Sequence, residues 1–195
     1  MKLFITPLIF VFSFMLPTMS LAGSIFDVDI NGVSIGDSLL DHFDERQIRS
    51  WSTSDYSSVG KDKTFVILEG DAKFQNYEHL RFHVKPNDKN YTIYGVSAGK
   101  FFGKQNIELC LSLKKKVIND STNKLINAVP KKYESPYENL DDGKSKAYIT
   151  DFVLEDGAIR YWCVDWSKET ENKRNWGDNF QYNLSHQILL DWRNK

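Results

Sequence analysis

The chain has almost no net charge, with 25 Lys and Arg against 26 Asp and Glu over 195 residues. A balance so close to neutral gives no electrostatic footprint for nucleic acid or an acidic membrane, so neither is expected as a partner. Cysteine is scarce, with only Cys110 and Cys163. No CxxC, HExxH, GxSxG or phosphate-loop pattern occurs, so nothing local announces a metal, a nucleophile or a nucleotide. After residue 19 no stretch reaches the roughly 18 consecutive apolar residues that a membrane span needs.

The long apolar run that does exist is N-terminal. Met1 and Lys2 precede residues 3–19, which hold no charged side chain, and Ser20, Leu21 and Ala22 follow with small residues at the positions a signal peptidase accommodates. Residues 1–22 are therefore expected to be a cleavable export signal, with the mature chain starting at Gly23. No cysteine follows the cleavage site to accept a lipid. Residues 23–195 suit one domain of ordinary size.

Along the mature chain, Asp37 or Ser38 is positioned to cap a helix whose buried stripe is Leu39, Leu40, Phe43 and Ile48. A polar, Ser-rich stretch over 50–63 leads into strands at 64–69, 79–85 and 91–97, with Leu80, Phe82 and Val84 on one face and His79, Arg81 and His83 on a solvated one. Between 106 and 129 the period changes to about 3.6, so Ile107, Cys110, Leu111, Val117, Ile118, Leu125 and Val129 share a helical stripe while Lys114, Lys115 and Lys116 face solvent. Pro130 stops that helix, and a polar loop with Pro136, Asp141, Asp142 and Gly143 runs to 146. Asp156 and Gly157 are then expected to turn a two-residue hairpin pairing Leu154 with Ile159, Phe152 with Tyr161 and Thr150 with Cys163. A strand over 180–184 and a short helix capped by Ser185 close the chain. The order predicts an α+β fold: an antiparallel sheet of hairpins and meanders covered by helices. A helix followed by a hairpin occurs in each half, about 23–104 and 105–195, without a convincing sequence repeat.

The stretches GVSIGDSLLDHF at 32–43, FHVKPNDKNYTIYGVSAGKFF at 82–102, Cys110 opening a helix and CVDWS at 163–167 together resemble a family of small uncharacterised secreted proteins of AT-rich marine bacteria of the Pelagibacter type. That resemblance implies export and a shared α+β domain, and it supplies no catalytic residues. Residues 36–43 alone also resemble β-lactamase-inhibitor-like and outer-membrane-assembly lipoproteins, from which the chain departs in lacking a lipidated cysteine.

Asp27, Asp29, Asn31 and Gly32 open like a calcium loop, but its twelfth position is Ser38, which cannot supply the bidentate carboxylate, so a capped turn is expected instead. His79 and His83 lie about 13 Å apart on a strand rising roughly 3.3 Å per residue, too far to share one ion. No cofactor or metal is expected. Cys110 and Cys163 each sit on the apolar face of their own element, and in an oxidising compartment they are expected to pair. The second face of the 148–166 hairpin carries Ile149, Val153, Trp162, Val164 and Trp166, so something must cover it. The C-terminal helix, through Ile188, Leu189 and Trp192, is one candidate. A ligand engaging Trp162 and Trp166 is the other.

These features fit a periplasmic or secreted module that binds a ligand or an envelope protein without catalysis. A hydrolase built from dispersed carboxylates and histidine, and an envelope-assembly or inhibitor-like module, are the alternatives. The exported protein is expected to begin at Gly23, and N-terminal sequencing that returned Met1 from the envelope fraction would overturn this.

Overall fold

The computed structural model describes residues 23–55, 62–70, 77–125, 128–137 and 144–195. The export signal at 1–22 and the acidic turn at 141–143 lie outside the described residues.

Ser24 caps a 3-10 turn over Ile25–Asp27, and strands β1 (Asp29–Ile30) and β2 (Val33–Ser34) then form a small hairpin. Asn31 and Gly32 both adopt positive φ, 55° and 87°, the conformation a two-residue hairpin turn demands, and Asp29 Oδ1 accepts the Gly32 N–H at 2.7 Å. The single helix expected after Ser38 is instead two pieces. A 3-10 turn over Leu39–Asp41 is capped by Ser38, and helix α1 (Glu45–Ser50) is capped by Asp44. A second capping carboxylate inside the stripe restarts the helix, which buries Leu39, Phe43 and Ile48 but leaves Leu40 exposed.

Among the described residues eight strands follow: β3 (Ser52–Asp55), β4 (Val66–Gly70), β5 (His79–Val84), β6 (Gly95–Phe101), β7 (Lys131–Pro136), β8 (Lys146–Val153), β9 (Gly157–Asp165) and β10 (Asn179–His186). They pair antiparallel throughout in the order β3-β4-β5-β6-β10-β9-β8-β7. Each half of the chain thus contributes a four-stranded meander rather than one hairpin, and the two join where β6 meets β10. The architecture is α+β.

Helix α2 (Ile107–Thr122) is the one long helix among the described residues, and it lies on one face of this sheet. Beneath it the register aligns Ala98, Tyr182 and Tyr161 in one row and Val96, Leu184, Ile159 and Phe152 in the next. With Phe82, Phe180, Ile25, Ile30 and Leu39 they form a continuous buried core. Cys110 on α2 and Cys163 on β9 are disulfide-bonded across this layer, with Cα atoms 5.9 Å apart.

α2 stops eight residues short of Pro130. Asn119, Asp120, Ser121, Thr122 and Asn123 are weak helix formers, and the Ser121 and Thr122 hydroxyls donate back to the carbonyls of Val117 and Ile118. Leu125 is still buried, but Val129 is 84 % exposed rather than part of the stripe. Lys114 also departs from expectation. It is half-buried and donates to the Tyr148 carbonyl at 2.8 Å, and burial brings its ammonium down to about 8.

The 148–166 hairpin forms with a different register. Phe152 faces Ile159, Thr150 faces Tyr161 and Tyr148 faces Cys163, a slip of two residues that keeps every side chain on its expected face. The turn residues are Glu155 and Asp156, closed by the Leu154 N–H to Gly157 carbonyl bond at 2.9 Å, and Gly157 opens β9 instead. The Asp156 carboxylate accepts from Ser24 Oγ and from the Ile25 N–H at 2.9 Å, docking the N-terminal segment. Helix α3 (Lys168–Arg174) is capped by Ser167 and ends at left-handed Asn175. Helix α4 (Gln187–Arg193) is capped not by Ser185 but by His186, whose Nδ1 accepts the Ile188 N–H at 3.0 Å.

The disulfide spans 53 residues of sequence. In the loop-entropy description such a bridge contributes about 4 kcal/mol, so reduction should lower the melting temperature by about 10 °C at roughly 2–4 °C per kcal/mol. Calorimetry with and without reductant checks this. An unchanged melting temperature with both thiols alkylated would refute it.

Candidate functional site

Residues opposite one another across strands share a face, so the register also defines the side of the sheet away from α2. From β4 to β8 it carries Glu69, Arg81, Ser97, Asn183, Arg160 and Asp151 in one row and, from β5 to β7, His79, Gly99, Gln181, Trp162, Ile149 and Tyr133 in the next. This face is polar, not the apolar surface expected from the hairpin alone. Its charges are matched: Arg160 grips Asp151 with two 2.8 Å bonds, Tyr133 donates to the same carboxylate, and Arg81 pairs with Glu69 at 2.9 Å.

Helix α4 covers only one end of the face. Leu189 and Trp192 pack with Phe65 and against Tyr94, while Ile188 stays exposed. Gly95 makes room for this helix, since a Cβ there would meet both Leu189 and His83 at 2.6 Å. His83 is buried under the helix rather than solvated, and Arg193 Nη2 lies 3.1 Å from its Nε2. A guanidinium can only donate, so His83 Nε2 accepts and the ring is neutral.

The other end of the face opens into a cleft of about 570 Å³ lined by Phe101, Gly103, Tyr137, Trp166, Asn175, Trp176, Gly177, Asn179 and Gln181. Local sequence builds it. Asn175 turns left-handed at φ 52° and ends α3, which sends Trp176 back toward the sheet. Gly177 then lies so near Gly103 that a Cβ would meet its backbone at 2.7 Å, and the two segments are locked by the Asp178 N–H to Gly103 carbonyl bond at 2.9 Å. Trp166, one residue past β9, contacts Tyr137 edge-on at 4.6 Å between ring centroids and Trp176 at 4.9 Å. Arg174 lies over Trp176 at 4.8 Å. Gln181 donates to Asn179 Oδ1 at 3.2 Å, and the His79 ring fills the space above Gly99, 5.7 Å from Phe101.

The two tryptophans expected to engage a ligand thus stand differently. Trp162 is half-buried on the open face between Ile149 and Gln181. Trp166 is 7 % exposed and enclosed by neighbouring rings, yet its Nε1–H, buried at the cleft, meets no acceptor among the described residues. Stacking is therefore left to Trp162 and to Trp176, which is 38 % exposed. Trp176, Tyr137, Phe101, Asn179 and Gln181 escaped sequence reasoning. The one signal for them was Asn175 and Gly177 flanking a tryptophan, turn formers around a large ring. Cys110 and Cys163 lie on the opposite face.

Behind the cleft Asp178 is fully buried, its Oδ1 accepting the Trp166 N–H at 3.1 Å and its Oδ2 the Asn106 N–H at 2.7 Å. Burial pushes the Asp178 carboxyl above its usual range, and burial with the nearby Glu171 charge does the same to Asp165. Glu171, also buried, accepts the Gln105 N–H at 2.6 Å. No group of three or more His, Cys, Asp or Glu among the described residues is arranged to hold a metal ion. No protein-family model, curated protein or solved structure matches the chain.

Burial and the adjacent Arg193 and Arg81 charges bring His83 down to about 3. Its unfolded value is about 6.5, so below that pH the unfolded chain binds a proton that the folded chain refuses. The stability this group supports is complete above pH 6.5 and is lost as the pH falls toward 3. Between pH 7 and 5 the loss should be about 2 kcal/mol, and His83→Gln should flatten that part of the profile. Urea unfolding at pH 7, 6 and 5 measures it, and identical slopes for both proteins would exclude the assignment.

Proposed function

We propose that the protein is an exported, non-enzymatic binding module that takes a ligand or an envelope protein on the open face of its sheet, between Trp162 and the aromatic cleft. The observation that carries this reading is the part of the face that the described residues leave open. α4 closes one end, while the other presents partly exposed rings beside amide side chains and a buried indole N–H.

Export is supported by the basic head and apolar run at the N-terminus and by the disulfide, which suits an oxidising compartment. Among the described residues no helix is long and apolar enough to cross a membrane. The non-catalytic part of the proposal draws support from how the ionisable groups are used. Three of the four histidines are in structural use, His42 bonding Asp37, His83 bonding Arg193 and His186 capping a helix; the fourth, His79, packs on Gly99 and Phe101 with its Nε2 buried and without a hydrogen bond among the described residues, while Asp178 and Glu171 hold backbone N–H groups. A hydrolytic pair would need such groups turned toward a substrate.

Immobilised mature protein should retain material from a native envelope extract that Trp162→Ala retains at least tenfold less. Trp162 is half-buried, so its truncation should cost about 1–2 kcal/mol and leave the fold intact. Equal retention by both proteins, or by neither, would defeat the proposal.

A further inference from the structure

Resting on that reading of the open face, we infer that the cleft at its Trp166 end is a saccharide subsite that receives a neutral, hydroxyl-rich sugar ring. The lining decides the chemistry. Phe101, Tyr137, Trp166, Trp176, Asn179 and Gln181 contain no ionisable acid or cationic group at neutral pH, and the volume of about 570 Å³ suits one or two sugar rings.

Aromatic faces carry the negative part of the ring quadrupole and so meet the slightly positive C–H face of a sugar. Amides both donate and accept, as hydroxyls do. With Asn179 Oδ1 taken by Gln181, the Asn179 amide nitrogen is the donor that remains to serve a ligand. The buried Trp166 Nε1–H needs an acceptor, and a sugar hydroxyl or ring oxygen is one.

Other ligand classes fit less well. Anions are disfavoured because the three carboxylates of Asp165, Glu171 and Asp178 lie behind the cleft and outweigh the single charge of Arg174 stacked on Trp176. A cation needs rings spaced to surround it, whereas Trp166 lies 4.6 and 4.9 Å from its neighbours, centroid to centroid, leaving no room between them. A peptide adding as a strand would need free backbone groups, and β9, β10 and β6 are already paired on both sides.

The test uses the mature chain, residues 23–195, with its five indole N–H signals assigned by NMR. Cellohexaose, chitohexaose, laminarihexaose and maltohexaose are titrated to 5 mM, alongside tetramethylammonium, inorganic phosphate and an unstructured decapeptide. At least one hexasaccharide should shift the Trp166 and Trp176 signals saturably. Trp176→Ala should weaken that binding at least tenfold with the Trp51, Trp162 and Trp192 signals unmoved in the free protein, while that of Trp166, packed on Trp176, shifts. Trp166→Phe, which keeps a ring and removes the donor, should weaken it about fivefold.

Unmoved signals with all four sugars, or a larger response to the cation, phosphate or peptide, would overturn the saccharide assignment. If Trp162→Ala still abolished retention of envelope material in that case, the binding face would stand with another ligand class. If retention were also insensitive, both would fall.

Discussion

Asp178 joins three segments, its own ahead of β10, the end of β9 and the 102–106 link between β6 and α2. Its carboxylate holds the N–H of Trp166 at the end of β9 and of Asn106 at the start of α2, while its own main chain pairs with Phe102 and Gly103 past the end of β6. A buried carboxylate is costly unless hydrogen-bonded, and this one is bonded to backbone donors that would otherwise be orphans. Asn106 makes no side-chain cap on α2. The helix start is served from outside, Asp178 and Glu171 accepting the N–H groups of Asn106 and Gln105, where negative charge is favoured by the helix dipole. The acidic cluster is therefore a capping device first.

The same junction determines which side of the sheet stays open. α2 begins at Asp178, crosses the central strands and is bonded to β9 through Cys110 and Cys163, so the long helix is committed to one face. Among the described helices α4, seven residues long, packs on the other, and its Leu189 and Trp192 are taken up by Phe65 and Tyr94. The rest of that face is made compatible with water by Arg160 and Asp151, Arg81 and Glu69, Ser97 and Asn183. Trp162 and the cleft are the parts that polarity does not explain.

What was legible in the sequence follows from burial. Strands β5, β8, β9 and β10 alternate or are densely apolar because they sit in the middle of the sheet, and their faces could be assigned. β3 and β7 carry the polar sequence of loops. They are the two outer strands, and an outer strand is kept polar to discourage pairing with another chain, which erases the alternation that would reveal it. β7 ends on Pro136, tolerated at an edge. The hairpin turns one residue earlier than expected, at Glu155 and Asp156, with Gly157 taken into β9 opposite His186, where a Cβ would meet the Ser185 carbonyl and Ile25, a close approach no local rule contains. The cleft was half legible. Trp162 and Trp166 stood out as rings on a second face, but Trp176 and Tyr137 come from segments read as irregular, and their meeting depends on the approach of Gly177 to Gly103.

Fold and selectivity are coupled at this end of the molecule. The carboxylates behind the cleft make its field unfavourable to anions, and the oxygens of Glu171 and Asp178 are also the acceptors for the N–H groups of Gln105 and Asn106, just ahead of α2, and of Trp166. Replacing Asp178 by a neutral amide would weaken the field, but it would also convert an acceptor pair into one acceptor and one donor, facing two N–H groups. One of those donors would then be left unsatisfied in the interior, at a cost of about 1–3 kcal/mol. A cleft that accepts anions therefore cannot be reached through Asp178 without loosening the start of α2, and with it the helix whose bond to Cys163 holds the core closed.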